Sequence, residues 1–177
     1  MDTSTDTRSP SQIARDAFRI LFHERDLSDP YRLWSDDSVD HFLAAGESVR
    51  GARALAQWFG DLFAAVPDFR MEIVNTFDDG DRQATVQWRA TGTLTGAPFL
   101  GIEPNGRPIE IQGVDVMHFD DNGRIDQNTI YYDGAEFARQ LGMLPARDTP
   151  AERMTLAAFN AKTRLERRLR GQRTASD

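Results

Sequence analysis

Residues 83–90 read QATVQWRA and residues 109–119 read IEIQGVDVMHF, and both alternate with a period of two. In the first run Ala84, Val86, Trp88 and Ala90 share a side, opposite Gln83, Thr85, Gln87 and Arg89. In the second, Ile109, Ile111, Gly113, Asp115, Met117 and Phe119 share a side, opposite Glu110, Gln112, Val114, Val116 and His118. That pattern marks long strands with one covered face. Residues 69–77 continue it upstream, with Phe69, Met71, Ile73, Asn75 and Phe77 on one face. Residues 124–132 continue it downstream, where Asn128, Ile130 and Tyr132 alternate with Tyr131. DDGD at 78–81 and DDNG at 120–123 are hairpin turn signals, so these strands read as a meander.

A half-apolar sheet needs a cover, and the residues before it supply helices. Ser9, Pro10 and Gln12 form a capping-box pattern ahead of Ile13, Ala14, Ala17, Phe18, Leu21 and Phe22 at helical spacing. A short second helix is expected around Tyr31, Leu33 and Trp34, and a brief strand from Val39 to Leu43. Residues 51–65 carry Leu55, Phe59 and Leu62 on one stripe, and Pro67 ends that helix. A Gly/Pro-rich connection spans 92–108 and carries Phe99, Leu100 and Ile102, which suit a pocket cover or a tucked-in link. Asp133 and Glu136 open a last short helix in this unit. The fold class is therefore α+β: a curved, mostly antiparallel sheet wrapped with helices around an apolar pocket. The expected organisation is a disordered lead at 1–8, one domain at 9–145 and a basic helical tail at 146–177.

Composition narrows the chemistry. The 177 residues hold no cysteine, which removes disulfides, thiolate metal sites and thiol nucleophiles. Eleven Phe, three Trp and three Tyr are ample for a core. The net charge of -7 argues against nucleic-acid binding by the body. The polar N-terminus lacks signal-peptide character and no apolar run reaches membrane-spanning length, so a cytoplasmic location is expected. Six basic residues and one acid between 162 and 173 make that segment +5 and leave -12 for the remainder. Such a tail, with Met154, Ala158, Ala161 and Leu165 in a stripe, suits docking on its own body, on a second subunit or on an anionic surface, or lies solvated.

Asp115 is the leading candidate for chemistry, since alternation places its carboxyl among apolar neighbours on the covered face. Lost hydration raises the pKa of such a group, fitting it to exchange a proton near neutral pH or to donate to an oxyanion. A structural carboxylate satisfied by its neighbours is the competing explanation. His41 is the second candidate, as an imidazole on a pocket wall, with Asp40 facing away from it. Phe18, Phe42, Trp88, Asn128 and Tyr132 are the expected substrate-binding walls. His23, His41 and His118 lie on separate elements without metal-ligand spacing, and Asp36, Asp37 and Asp40 suit a helix-to-strand turn, so no metal is expected. No phosphate-binding glycine motif and no GxSxG occurs, so no cofactor is expected either.

Several stretches carry a family resemblance in their order and spacing. They are DDSVDHF (36–42), RGARAL (50–55), FAAVPDF (63–69), GTLTGAPFLGIEPNGRPIEIQG (92–113), FDDNGRI (119–125) and QLG (140–142). From about Ile13 to Leu144 the chain resembles the SnoaL-like polyketide cyclases of the NTF2-like superfamily, which also holds ketosteroid isomerase. The resemblance implies a cone-shaped fold with a deep apolar pocket, dimers formed through the sheet, and cofactor-free acid–base chemistry on hydrophobic ring compounds. Under it, His41 matches a histidine common in the DDxVxH stretch, and Asp115 aligns with the isomerase acid that hydrogen-bonds the developing oxyanion. The isomerase tyrosine falls near Phe18, which has no hydroxyl. The isomerase base falls near Phe42, or at His41 with a one-residue slip. The Trp-Asp pair of cyclase-like members reads Thr129-Ile130 here, so their acid–base aspartate is missing, while Asp133 matches a later aspartate that starts the next helix.

The reading favoured by the sequence is a cofactor-independent cyclase- or isomerase-type enzyme acting on a small hydrophobic carbonyl or ring compound, with His41 and Asp115 in one cavity and a homodimer as the assembly. The alternatives are a non-catalytic hydrophobic-ligand-binding or dimeric interaction domain, and an epoxide or ester hydrolase.

Overall fold

The computed structural model describes residues 8–174. Helix α1 (Pro10–Phe18) starts at the expected capping box: Ser9 Oγ accepts the Gln12 N–H, and the Gln12 side chain accepts the Ser9 N–H at 3.0 Å. Pro10 occupies the first turn, where its missing N–H costs nothing. The helix continues into one wide π turn (Arg19–Glu24), which turns Ile20, Leu21 and Phe22 all inward. Arg25 ends it in the left-handed region at φ 52°, and its guanidinium donates to the carbonyls of Pro67 and Phe69 at 3.0 and 2.6 Å. This one side chain ties the end of the first helix to the loop before the long strands.

The expected second helix is a single tight turn, Pro30–Arg32, capped by Asp29. Trp34 belongs instead to strand β1 (Trp34–Phe42), which is longer than the Val39–Leu43 segment read from sequence. Strand β2 (Glu47–Arg50) pairs back on it. Helix α2 (Ala52–Ala65) buries Leu55 and Phe59, and Phe59 stacks on Trp34 with ring centroids 5.7 Å apart. Strands β3 (Arg70–Asp78), β4 (Gln83–Thr93), β5 (Pro108–Phe119) and β6 (Ile125–Tyr132) form the expected antiparallel meander. The sheet order is β2-β1-β6-β5-β4-β3, with β1 parallel to β6 and so closing the sheet from the far side. Ser38 Oγ donates to the Ile125 carbonyl across that junction.

One face assignment is corrected. β3 carries a bulge between Ile73 and Asn75, which adds a residue and inverts the alternation beyond it. Phe77, expected on the covered face with Met71 and Ile73, is 64% exposed, and Thr76 turns inward.

Helix α3 (Gly134–Gln140), capped by Asp133, packs on β5. Helices α1 and α2 cover the inner face of the sheet, and the core lies between them and β4, β5 and β6. Helix α4 (Pro150–Thr174) stands off this body. Met154, Phe159 and Leu165 on it are more than half exposed, so the apolar stripe of the tail is not buried against its own chain. No helix among the described residues is long and apolar enough to cross a membrane.

Candidate functional site

The concave side of the sheet, α2, the 94–107 loop and α3 form an apolar pocket. Phe22, Phe59, Phe69 and Met71 wall one side, and Phe99, Leu100 and Phe137 line the approach. The loop tip is a tight hairpin in which Phe99 and Ile102 exchange backbone hydrogen bonds across Leu100 and Gly101, both at positive φ. A leucine in that backbone conformation is uncommon, and here it carries a lining side chain.

Asp115 is the carboxyl group of this pocket. It is 6% exposed, as alternation along β5 requires. Trp88 Nε1–H donates to its Oδ1 at 2.7 Å, and Asn128 Nδ2–H donates to its Oδ2 at 3.0 Å. Burial pushes the Asp115 pKa up to about 6, against the pull of the Asn128 and Trp88 hydrogen bonds, which favour the charged form. Gly113 makes the Trp88 contact feasible. It pairs with Trp88 across β4 and β5, and an added Cβ there would sit 2.3 Å from the indole ring. The ring therefore lies across the β5 backbone with its N–H reaching Asp115, two residues along the strand.

Trp88, Phe42 and Tyr132 line the pocket, as the sequence suggested. Phe42 stacks on Trp58 at 3.8 Å between centroids. Tyr132 is half-buried against Trp88 and Phe137. Burial, and then the negative charge of Glu47, raise the Tyr132 pKa, so its hydroxyl stays protonated at neutral pH. Phe18 and Asn128 instead line a smaller cavity behind the main one, shared with Asp115. Asn128 meets the main pocket only through its hydrogen bond to Asp115.

The expected placement of His41 is corrected. Ser38, Asp40 and Phe42 are the inward residues of β1, so His41 faces the other way. It shares a 2.8 Å hydrogen bond with Ser48 on β2 and is not part of the pocket wall. His41 and Phe42 are strand neighbours and cannot both face one cavity. Asp40, on the opposite face of β1 from His41, is the inward acid and is 1% exposed. The signal was present: Asp40 lies two residues before Phe42 and shares its face. Burial, then the charge of Asp115, push the Asp40 pKa well above the usual carboxylate range. Asp40, Asn128, Asp115 and Trp88 thus cross four adjacent strands, β1, β6, β5 and β4, as one buried polar row. Among the described residues no three His, Asp or Glu side chains gather as a metal site.

The sequence model of the SnoaL-like polyketide cyclases matches residues 12–141. No curated protein matches the chain in sequence. Among solved structures, AclR from Streptomyces galilaeus superposes with a TM-score of 0.63 at 19% identity, covering 90% of this chain and 96% of its own. TsrD from Streptomyces laurentii gives 0.65 at 23%, covering 78% and 98%. A Catenulispora acidiphila protein with a ketosteroid isomerase-like fold, solved with trimethylamine, gives 0.60 at 20%, covering 78% and 98%. At these identities the likeness is one of fold.

Proposed function

This chain belongs to the SnoaL-like polyketide cyclase family, and on that footing we propose that it is a cofactor-independent acid–base enzyme of cyclase or isomerase type, acting on a small hydrophobic carbonyl or ring compound. One observation carries the proposal: a lone carboxyl group, Asp115, set in the wall of an apolar pocket and oriented by two neutral N–H donors. With a pKa of about 6, Asp115 is mostly ionised at neutral pH and close enough to its midpoint to release a proton again.

In this scheme the Asp115 carboxylate takes a proton from the carbon beside the ligand carbonyl. The C–H electron pair moves into an enolate, whose oxygen accepts a hydrogen bond from the Tyr132 hydroxyl. In an isomerisation, the proton returns from Asp115 to a different carbon. In a cyclisation, the enolate carbon bonds to a second carbonyl of the same molecule and the resulting alkoxide takes the proton back. Neither route consumes a co-reactant. Each carboxylate oxygen has a second lone pair, so the Trp88 and Asn128 bonds leave Asp115 able to accept. His41 has no part in the scheme.

The test uses β,γ-unsaturated ring ketones and linear 1,5-diketones, followed by absorbance of the conjugated or cyclised product. Asp115→Asn should lower kcat by roughly 10²–10⁴-fold with KM nearly unchanged, the usual contribution of a positioned acid–base group. Full turnover in this variant would remove Asp115 from the chemistry. The second reading is a binding domain without turnover, favoured by the fact that both Asp115 oxygens already have protein donors. It predicts tight binding of the same ketones with no reaction in the wild type.

A further inference from the structure

Asp40 has no role in the scheme above, although it is the more deeply buried of the two acids. It lies on β1 directly beside Asn128 on β6, in the smaller cavity that Asp115 also lines. Its surroundings are apolar: Phe18 from α1, Leu21 from the wide turn, Phe59 from α2, Met117 from β5 and Ile125 from β6. The titratable group that faces it is Asp115, and among the described residues no cation lines the cavity to offset a second charge. Two like charges this close cannot both be held away from water, so one carboxyl keeps a proton.

Hydrogen-bond accounting says which one. Asp115 already accepts from two donors, as an ionised carboxyl should. Asp40 Oδ1 and Asn128 Oδ1 are buried acceptors without a donor, and Trp34 Nε1–H, from the start of β1 and lining the same cavity, is a donor without an acceptor. A proton on Asp40 would supply the donor that Asn128 Oδ1 lacks and would leave neither oxygen a bare buried acceptor.

We propose that Asp40 and Asp115 act as one proton-sharing unit bridged by the Asn128 amide, in which Asp40 is a positioning residue: its carboxyl keeps its proton and donates it to Asn128 Oδ1, so that Asn128 Nδ2–H is held pointing at Asp115. The direction of the amide then decides which acid carries the charge. With its oxygen toward Asp40 and its nitrogen toward Asp115, the charge stays on the acid that faces the ligand. Asp40 never touches the ligand in this arrangement. The functional consequence rests on the acid–base role of Asp115, but the arrangement itself does not.

The test is therefore made without substrate, by carbon-13 NMR of the full-length protein labelled at the Asp carboxyl carbons and titrated with pH. In the wild type, Asp115 should titrate near 6 and Asp40 should release its proton only at a higher pH than Asp115 does. Asp40→Asn keeps a neutral donor beside Asn128 and should leave the Asp115 midpoint in place. Asp40→Leu removes the donor, frees the amide and should raise the Asp115 midpoint by about one pH unit. A merely structural role for Asp40 would not separate these two variants. If Asp40 in the wild type ionises below about pH 5, as an ordinary carboxyl does, its proton is not the missing donor and the proposal falls. It falls equally if Asp40→Leu leaves Asp115 titrating as before. Because the readout is titration, a protein without ketone turnover can still bear out this unit, and an active one can still refute it.

Discussion

A methyl group at position 113 would meet the Trp88 ring at 2.3 Å and the Tyr131 carbonyl at 2.5 Å, and neither can be relieved without moving the indole or the strand. Gly113→Ala should therefore pull Nε1–H away from Asp115, raise the Asp115 midpoint above its value of about 6, and destabilise the fold by about 1–3 kcal/mol, the usual cost of overpacking. Trp88→Phe should raise the midpoint in the same direction without the overpacking cost, because it removes the N–H and keeps most of the ring. Thermal melts and the pH profile of turnover would separate the two effects. At this scale the sequence disclosed Asp115 because the run around it alternates without a break. It hid Asp40, because DDSVDHF is so polar that its inward face is not apparent until Phe42 is used to set the register. It also gave no sign that Asn128 serves Asp115 from behind the pocket, since that contact joins strands 13 residues apart in the chain.

At the scale of elements, β1 is the one whose face matters most. Because His41 pairs with Ser48 on the side away from the ligand, His41→Ala should leave kcat and ligand affinity unchanged within about twofold, as expected of a surface change. A loss of turnover as large as that of Asp115→Asn would contradict the strand assignment. The meander from β3 to β6 was legible because its turns and alternation are local. Asp79 Oδ1 takes the Asp81 N–H, and Asp120 Oδ1 takes the N–H groups of Asn122 and Arg124, so each turn is encoded by its own residues. The bulge in β3, the wide turn after α1 and the parallel pairing of β1 with β6 were not legible. Each is set by packing against distant parts of the chain, which no short window of sequence contains.

The whole molecule should show the two buried acids in its stability. Burial makes the fold hold the Asp115 proton up to about pH 6, while the unfolded chain releases it near 3.8. Between those values the folded state binds more protons, so stability falls as pH rises, by roughly 3 kcal/mol from Asp115 alone. Asp40 acts in the same direction. Asp79 and Asp133 act in the other, because backbone N–H groups of Asp81 and Glu136 hold their pKa values below the usual range. Their contribution is present at neutral pH and is lost only in stronger acid, as pH falls through those lowered values. The Tm should therefore be higher at about pH 5 than at about pH 7.5, and Asp115→Asn should flatten that difference. The enclosed pocket has a further effect once a ligand closes its mouth. A hydrogen lifted from the ligand onto Asp115 then has no bulk water to trade with, so it goes back to the molecule it came from. Turnover in heavy water should yield product that still carries its original light isotope at the new carbon, visible by mass spectrometry as missing deuterium.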